Sequence, residues 1–125
     1  MLLDQGAIFE ENGLLSDAYV AYRDAAAEMP VTTDAVSRTI GVLAKSHANE
    51  TNVSNRQRTL KAIDLCLEKA EAMPDTDAEL QYSIGVAYRT KGQINRACAH
   101  MERAVSYYPS SAYYRAEAAS CFLEA

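Results

Sequence analysis

The side chains that most often catalyse reactions or bind metals occur in this sequence without the spacing that either task needs. The two histidines, His47 and His100, form no metal-binding pattern such as H-E-x-x-H. Cys98 and His100 are two residues apart, and on a helix such side chains point in different directions, so they form no nucleophile–base pair. Neighbouring carboxylates such as Glu10 and Glu11 are typical of surface charge. We therefore predict a protein that is not an enzyme and needs no cofactor and no metal.

Composition and charge narrow the class of partner and the compartment. Lys and Arg number 12 against 17 Asp and Glu, a net charge of -5, which does not supply the positive surface that nucleic acid needs. The sequence has no signal-peptide pattern and no apolar run of about 18 residues. Cys66, Cys98 and Cys121 are an odd number without a C-x-x-C spacing, which favours reduced, partly buried thiols. We predict a cytoplasmic location, without direct membrane insertion.

The helices that carry these side chains can be predicted from the glycines and prolines, which recur at regular spacings. Three glycines lie 35 and 44 residues apart, at Gly6, Gly41 and Gly85. Three prolines lie 44 and 35 residues apart, at Pro30, Pro74 and Pro109. The distance from glycine to proline is 24 residues in the first and third units and 33 in the second. The pattern predicts three repeated units, the middle one with an insertion of nine residues.

Each repeated position has a physical explanation. Glycine within a helix costs about 1 kcal/mol relative to alanine, so the three in-register glycines are expected where another helix approaches closely. Gly13 and Gly92 each follow such a glycine by seven residues and are expected at the turn between two helices. Each proline is expected to end a second helix, because it removes a hydrogen-bond donor. The units therefore predict pairs of helices.

The third unit carries the most specific motif. It reads Gln81-x-x-Ile84-Gly85-x-x-Tyr88, then Gly92, Ala97-x-x-x-Met101, Ala104 and Pro109. This spacing resembles the tetratricopeptide repeat, although Gln81 stands where an aromatic residue is usual. The resemblance covers nearly the whole chain and implies an all-α, right-handed α-solenoid of antiparallel helix pairs.

The predicted organisation is a single domain. The repeats are expected at about residues 1–32, 33–76 and 77–110, followed by a terminal helix at 111–125. The inserted residues are expected to form an enlarged loop near 48–54, with Ser54 capping the next helix. Thr76 is expected to cap the third unit, and Ser110 or Ser111 the last helix. The short opening and the unpaired last helix suggest part of a longer array.

The resemblance also implies a site. Similar arrays bind peptides or helices in a concave groove lined by the first helix of each pair, and act as adaptors or scaffolds. When the groove positions of such arrays are transferred to this sequence by the repeat register, the predicted partner-binding groove is formed by Arg38, Val42, Lys45, Glu79, Tyr82, Val86, Arg89 and Tyr113. A wider set adds Leu3, Ala7, Glu10, Glu11, Ser46 and Ser120. Tyr82 and Arg89 are expected to be the central anchors for a protein or peptide partner.

Alternatives to this site stay open. The same positions could be a solvated helix face with scattered charges. The chain could instead be a structural subunit that stacks through its open ends, as a homo-oligomer or in a larger complex. The Lys, Asn and Arg clamp that related arrays use for acidic chaperone tails does not match here, since Leu3, Ala7, Thr39, Glu79 and Ser83 occupy its positions. Tyr82, Tyr108 and Tyr113 are candidates for exposure, with packing of Tyr108 on the next helix as the alternative. His100 is expected to be exposed.

Overall fold

The computed structural model describes residues 2–28, 32–74 and 77–125 of the chain. Within these ranges it contains seven α-helices and no β-strand. The helices are α1 (Leu2–Glu11), α2 (Leu15–Ala27), α3 (Thr33–Asn49), α4 (Val53–Glu71), α5 (Ala78–Thr90), α6 (Ile94–Tyr107) and α7 (Ala112–Glu124). None of the helices in the described part of the chain has the length and apolar character needed to cross a membrane.

The helices pack in sequence order. α1 lies against α2, α3 against α4, and α5 against α6, while α7 packs on α6. The pairs are joined by contacts of α2 with α3 and of α3 with α5. The all-α solenoid of helix pairs that the sequence predicts is confirmed. The arrangement places α3, α5 and α7, each the first helix of its unit, beside one another.

A nearly continuous apolar core holds the helix pairs together. Its largest fully buried side chains in the central and third pairs are Ile40, Ile63, Leu80 and Met101. Burial of such a side chain stabilises the folded state by about 1.5–3 kcal/mol. A smaller cluster of Ala18, Tyr22 and Val42 packs α2 against α3. Stability is therefore built mainly from contacts between neighbouring helices, as in other repeat architectures.

The turns between paired helices confirm the prediction for two glycines. Gly13 and Gly92 have positive φ angles of 74° and 82°, which a residue with a Cβ rarely adopts. The backbone N–H of Gly92 donates to the carbonyl of Arg89 at 3.0 Å, and that of Gly13 donates to the carbonyl of Glu10 at 3.0 Å. Both helix ends are thus closed by a left-handed glycine.

The close-approach explanation is right for two of the three in-register glycines and wrong for Gly41. A Cβ on Gly6 would overlap the ring of Tyr22. A Cβ on Gly85 would lie 2.8 Å from Cγ of Met101. A Cβ on Gly41 would meet no atom within 4 Å among the described residues. No neighbouring helix therefore explains why Gly41 lacks a side chain.

The inserted residues lengthen two helices instead of forming the enlarged loop expected near 48–54. α3 has 17 residues and α4 has 19, so only residues 50–52 connect them. Glu50 holds this connection, since its Oε1 accepts from the backbone N–H groups of Thr51 and Asn52 at 3.0 and 2.9 Å. Asn52, and not the predicted Ser54, is the N-cap of α4, accepting from the N–H of Asn55 at 3.1 Å.

The other predicted helix ends have mixed outcomes. Ser111 caps α7 as expected, with its Oγ accepting from the N–H of Tyr114 at 3.2 Å. Thr76 and Pro30, for which a cap and a helix end were predicted, lie outside the described residues. Asp77 caps α5, because its Oδ1 accepts from the N–H of Glu79 at 2.8 Å. That bond places a carboxylate at the first turn of α5, where the helix dipole favours negative charge.

Candidate functional site

A groove of about 400 Å³ runs between α3, α5 and α7. Its walls are the faces that these helices turn away from α4 and α6. The lining residues are Ser37, Arg38, Ile40, Gly41, Glu79, Tyr82, Ser83, Val86, Tyr108, Ser111, Tyr113 and Tyr114. The volume lies in the range of sites that bind small molecules or short peptide segments.

Four tyrosines form one wall of this groove. The ring centroids of Tyr82 and Tyr113 are 5.4 Å apart in an edge-on arrangement, and those of Tyr82 and Tyr114 are 5.2 Å apart. Tyr108 packs edge-on against Tyr114 at 6.4 Å. Such pairs stabilise each other beyond the area that they bury. Tyr113 and Tyr108 keep 58% and 55% of their surface exposed, so the wall is both ordered and accessible.

The hydroxyl of Tyr82 is kept neutral by its surroundings. Partial burial raises the pKa of Tyr82 well above its ordinary value, and the hydrogen bond shared with Tyr113 raises it further. The two hydroxyl oxygens are 2.7 Å apart. Tyr82 therefore offers a partner a polar hydroxyl and an apolar ring, without charge.

One end of the groove is acidic. Burial raises the pKa of Glu79, and the nearby carboxylates of Asp34 and Asp77 raise it further. Arg38 is the cation that opposes this effect. Its Nε donates to Oδ1 of Asp34 at 3.0 Å, so much of its charge is already neutralised. The negative charge of Glu79 is thus not balanced by a dedicated cation among the described residues.

The structure brings five of the eight predicted groove residues together. These are Arg38, Glu79, Tyr82, Val86 and Tyr113. They come from three successive first helices, as the register predicts. Their presence in one groove remains a geometric result, and their binding role remains a proposal.

Val42 does not belong to the groove. Its side chain is fully buried, packed with Ala18 and Tyr22 between α2 and α3. This packing directs Val42 toward α2 and away from the groove lining, so the prediction for Val42 is wrong. The residues of α3 that do line the groove with Arg38 are Ser37, Ile40 and Gly41. The face of α3 that lines the groove is therefore rotated by one residue from the face that the repeat register predicts.

Lys45 and Arg89 are partly exposed to solvent, but each already forms ion pairs with carboxylates of the same chain. Lys45 forms an ion pair with Glu10, which also accepts from the hydroxyl of Tyr22 at 2.8 Å. Arg89 pairs with Glu124 and with Glu117, the latter at 3.4 Å. Arg89 thus attaches α7 to α5, which makes a structural role a better explanation than that of a central anchor.

The helix arrangement is similar to that of two solved structures. The crystal structure of TTC0263, a thermophilic TPR protein in Thermus thermophilus, has a TM-score of 0.85 and 17% identity over 98% of this chain and 63% of that one. The fold is that of a tetratricopeptide-repeat solenoid. MamA, residues 41 to the end, from Desulfovibrio magneticus RS-1 has a TM-score of 0.61 and 20% identity over 98% of this chain and 71% of that one.

The likeness is one of fold. The chain spans less than two thirds of the length of the Thermus thermophilus protein. No protein-family model and no curated protein sequence matches it significantly. The tetratricopeptide-repeat solenoid is thus recognised from its three-dimensional arrangement and from the glycine and proline register. What the groove binds must therefore be inferred from the residues of the groove itself.

The solenoid also has groove residues that the sequence reasoning missed. Tyr114 is absent from the predicted groove residues, yet it lies at the centre of the tyrosine wall. Ser37 and Gly41 are four residues apart on α3 and share the groove face. The sequence offers no separate signal for Gly41, because it is in register with Gly6 and Gly85, which do contact another helix.

Histidine and cysteine side chains in the solenoid are used for packing. His100 is half-buried, not exposed as predicted, because its Nδ1 lies 2.8 Å from Oε1 of Gln81 and its ring stacks on Tyr88. Cys98 and Cys121 are buried thiols in contact with each other, and Cys66 is half-buried. Burial raises the pKa of Cys121 to about 12. Within the described residues no cluster of His, Cys, Asp and Glu is arranged to bind a metal.

Proposed function

We propose that the chain is a protein-interaction module that binds a segment of a partner protein in the groove between α3, α5 and α7. The observation that carries this proposal is the exposed tyrosine wall, in which Tyr113 and Tyr108 remain more than half accessible. Aromatic side chains on an ordered framework are favoured anchors, since they bury a large area at a small cost in side-chain entropy. The proposal includes a cytoplasmic location and binding without catalysis.

The repeat division proposed above suits this task. The repeats at about 1–32, 33–76 and 77–110 each supply one first helix, and α7 supplies the last wall. Side chains from α3, α5 and α7 meet in a surface that no single helix could form. Because the helices are fixed by their own buried residues, groove side chains can be changed without loss of the core.

Two adjacent tyrosines give a matched test of this proposal. Tyr108 lines the groove, whereas Tyr107 is the last residue of α6 and is not a groove residue. Both are about half exposed. Affinity capture with quantitative mass spectrometry should recover the same partners with the wild type and Tyr107→Ala. Recovery should fall for Tyr108→Ala and for Tyr113→Ala, with an unchanged helical circular dichroism spectrum. Equal recovery with all four proteins would contradict the proposal.

A second candidate function is assembly through the end of the solenoid. Leu123 is 88% exposed, and Phe122 borders a cleft between α6 and α7 that also includes Val105 and Ala118. Exposed apolar side chains of this kind are typical of protein contacts. Light scattering at rising concentration should show self-association of the wild type that Leu123→Asp abolishes. A protein that stays monomeric at all concentrations would rule out homo-assembly by this surface.

A further inference from the structure

The charges around the groove are unequal. At one end the carboxylates of Asp34 and Asp77 act on Glu79, and the cation that acts against them is Arg38, which itself pairs with Asp34. Outside the groove lining, Glu117 and Glu124 of α7 both pair with Arg89 of α5. These positions amount to five carboxylates and two cations. Arg115 borders the cleft between α6 and α7 and is not a groove residue, although its Nε donates to the carbonyl of Ser111 at 3.4 Å.

The tyrosine wall reaches the acidic end. Tyr114 lies close enough to Glu79 and Asp77 for both carboxylates to act on its hydroxyl. Tyr108, Tyr113 and Tyr114 line the groove together with Glu79. A cation placed on the face of a tyrosine ring is attracted by the ring quadrupole, and a nearby carboxylate adds to that attraction. An anionic side chain at this position would instead meet carboxylates and the negative ring faces.

The floor of the groove provides a place for a polypeptide backbone. Gly41 has no side chain in the helix interior, and a Cβ there would meet no atom among the described residues. One turn earlier on the same face, Ser37 is only 6% exposed, and its Oγ has no hydrogen-bond partner in the described part of the chain. Ser37 is also one of the residues that line the groove. Glycine is favoured where a backbone approaches closely, and a buried hydroxyl favours a site that pairs it.

From these observations we infer that the groove binds a basic, extended segment of a partner protein. This inference rests on the proposed function. The segment passes over Gly41, one of its peptide groups bonds to Ser37, and a Lys or Arg side chain lies among the tyrosines with its charge toward Glu79. A helical segment fits less well, because a helix has a diameter of about 10–12 Å and keeps its backbone groups bonded internally.

The experiment is a selection from a phage-displayed library of random linear peptides. Wild-type protein, Tyr113→Ala and Glu79→Gln are used as separate baits. The expected result is enrichment of Lys- and Arg-containing peptides on the wild type, with much weaker enrichment on both variants. Groove-dependent enrichment of acidic or uncharged peptides would overturn the inference and leave the proposed function standing. Absence of any peptide that depends on Tyr113 would count against both.

The affinity of one selected peptide, made synthetically with a fluorescent label, then shows directly how much its cationic side chain contributes to binding. Replacement of its Lys by norleucine, which keeps the aliphatic stem, should weaken binding roughly threefold to tenfold. Glu79→Gln should produce a similar loss. Asp17→Asn is the matched control, since Asp17 is also an acidic residue in the first turn of a helix but does not line the groove. Equal loss in Asp17→Asn would show non-specific attraction to an acidic protein and overturn the inference.

Gly41→Ala separates backbone contact from charge. The added methyl group occupies the space that the segment needs, so affinity for the selected peptide should fall. The norleucine peptide should lose a similar factor, because the methyl group acts on the backbone and not on the cation. Unchanged affinity in Gly41→Ala and in Ser37→Ala would overturn the extended-backbone part of the inference.

Discussion

The hydroxyl oxygens of Tyr82 and Tyr113 lie 2.7 Å apart, one donating to the other within the tyrosine wall. This bond connects α5 to α7 at the rim and fixes the angle between two rings of the tyrosine wall. Arg89 makes a second connection between the same helices through Glu117 and Glu124. α7 is therefore positioned by polar contacts at the groove as well as by its buried contact with α6.

The Tyr82–Tyr113 bond should have a small and coupled effect on stability. Tyr82→Phe and Tyr113→Phe each remove one hydroxyl and should each lower the free energy of unfolding by about 0.5 kcal/mol, at the low end for a partly exposed bond. The double variant should cost no more than either single variant. Urea unfolding followed by circular dichroism measures all four proteins. Strictly additive losses would show that the hydroxyls do not interact in solution.

Gly85 and Gly41 should respond in opposite directions to alanine. In Gly85→Ala the new Cβ meets Cγ of Met101 at 2.8 Å and the carbonyl oxygen of Ala97 at 3.1 Å. This overpacking should destabilise by about 1–3 kcal/mol. Gly41→Ala meets open space and should stabilise by about 0.5–1 kcal/mol, through higher helix propensity. Denaturant unfolding of the two variants tests the pair, and destabilisation by Gly41→Ala would contradict the described surroundings of Gly41.

Glu10 should make stability depend on pH. Burial acts to raise its pKa, but hydrogen bonds from Lys45 and Tyr22 outweigh burial and leave the pKa below its ordinary value. Stability from a lowered carboxyl pKa is present above the unfolded-state pKa and is lost as the pH falls through the folded-state pKa. Glu10→Gln should therefore cost about 0.5–1 kcal/mol at neutral pH. This difference from the wild type should vanish in acid.

The exposed neighbour Glu11 supplies the control for this pH dependence. Glu11→Gln should leave the free energy of unfolding at neutral pH nearly unchanged, since Glu11 lies on the solvent side of α1. Unfolding by urea at a series of pH values gives both curves. A difference between wild type and Glu10→Gln that grows as the pH falls would have the wrong sign for a lowered pKa.

Arg89 should control the attachment of α7 more than the affinity of the groove. Arg89→Ala removes the ion pairs to Glu117 and Glu124, so amide hydrogen exchange should become faster in α7. Exchange in α1 and α2 should not change, because stability in a repeat array depends on neighbouring units. Arg23→Ala, whose guanidinium pairs with the adjacent Asp24, is the control. Faster exchange throughout the chain would contradict a local role for Arg89.

The sequence predicted the fold because the positions of its glycines and of a capping serine mark where helices begin and end. Gly13 and Gly92 mark two turns that require positive φ, and Ser111 marks a helix start. The enlarged loop near 48–54 was a wrong prediction because loss of apolar periodicity does not stop a helix. Helix α3 continues to Asn49 without an apolar stripe on every turn, and its end is fixed by Glu50.

The site was predicted less completely than the fold. The repeat register predicts the groove-lining face correctly for Tyr82 and Val86 on α5. On α3 the predicted face is wrong by one residue, and Val42 is buried. On a helix one residue corresponds to a rotation of about 100°, enough to move a side chain from groove to core. Arg89 does not line the groove, for another reason. Its partners lie on α7, and the sequence does not show that two carboxylates there reach its guanidinium group.

The measurement that tests the central claim most directly is a nuclear magnetic resonance titration of the labelled chain with the best basic peptide from the selection. The groove account predicts that amide shifts change mainly at Ser37, Gly41, Tyr82, Val86 and Tyr113. It also predicts little change along α4 or at Leu123. Shift changes centred on Leu123 or on α4, with none on the groove faces of α3 and α5, would contradict it.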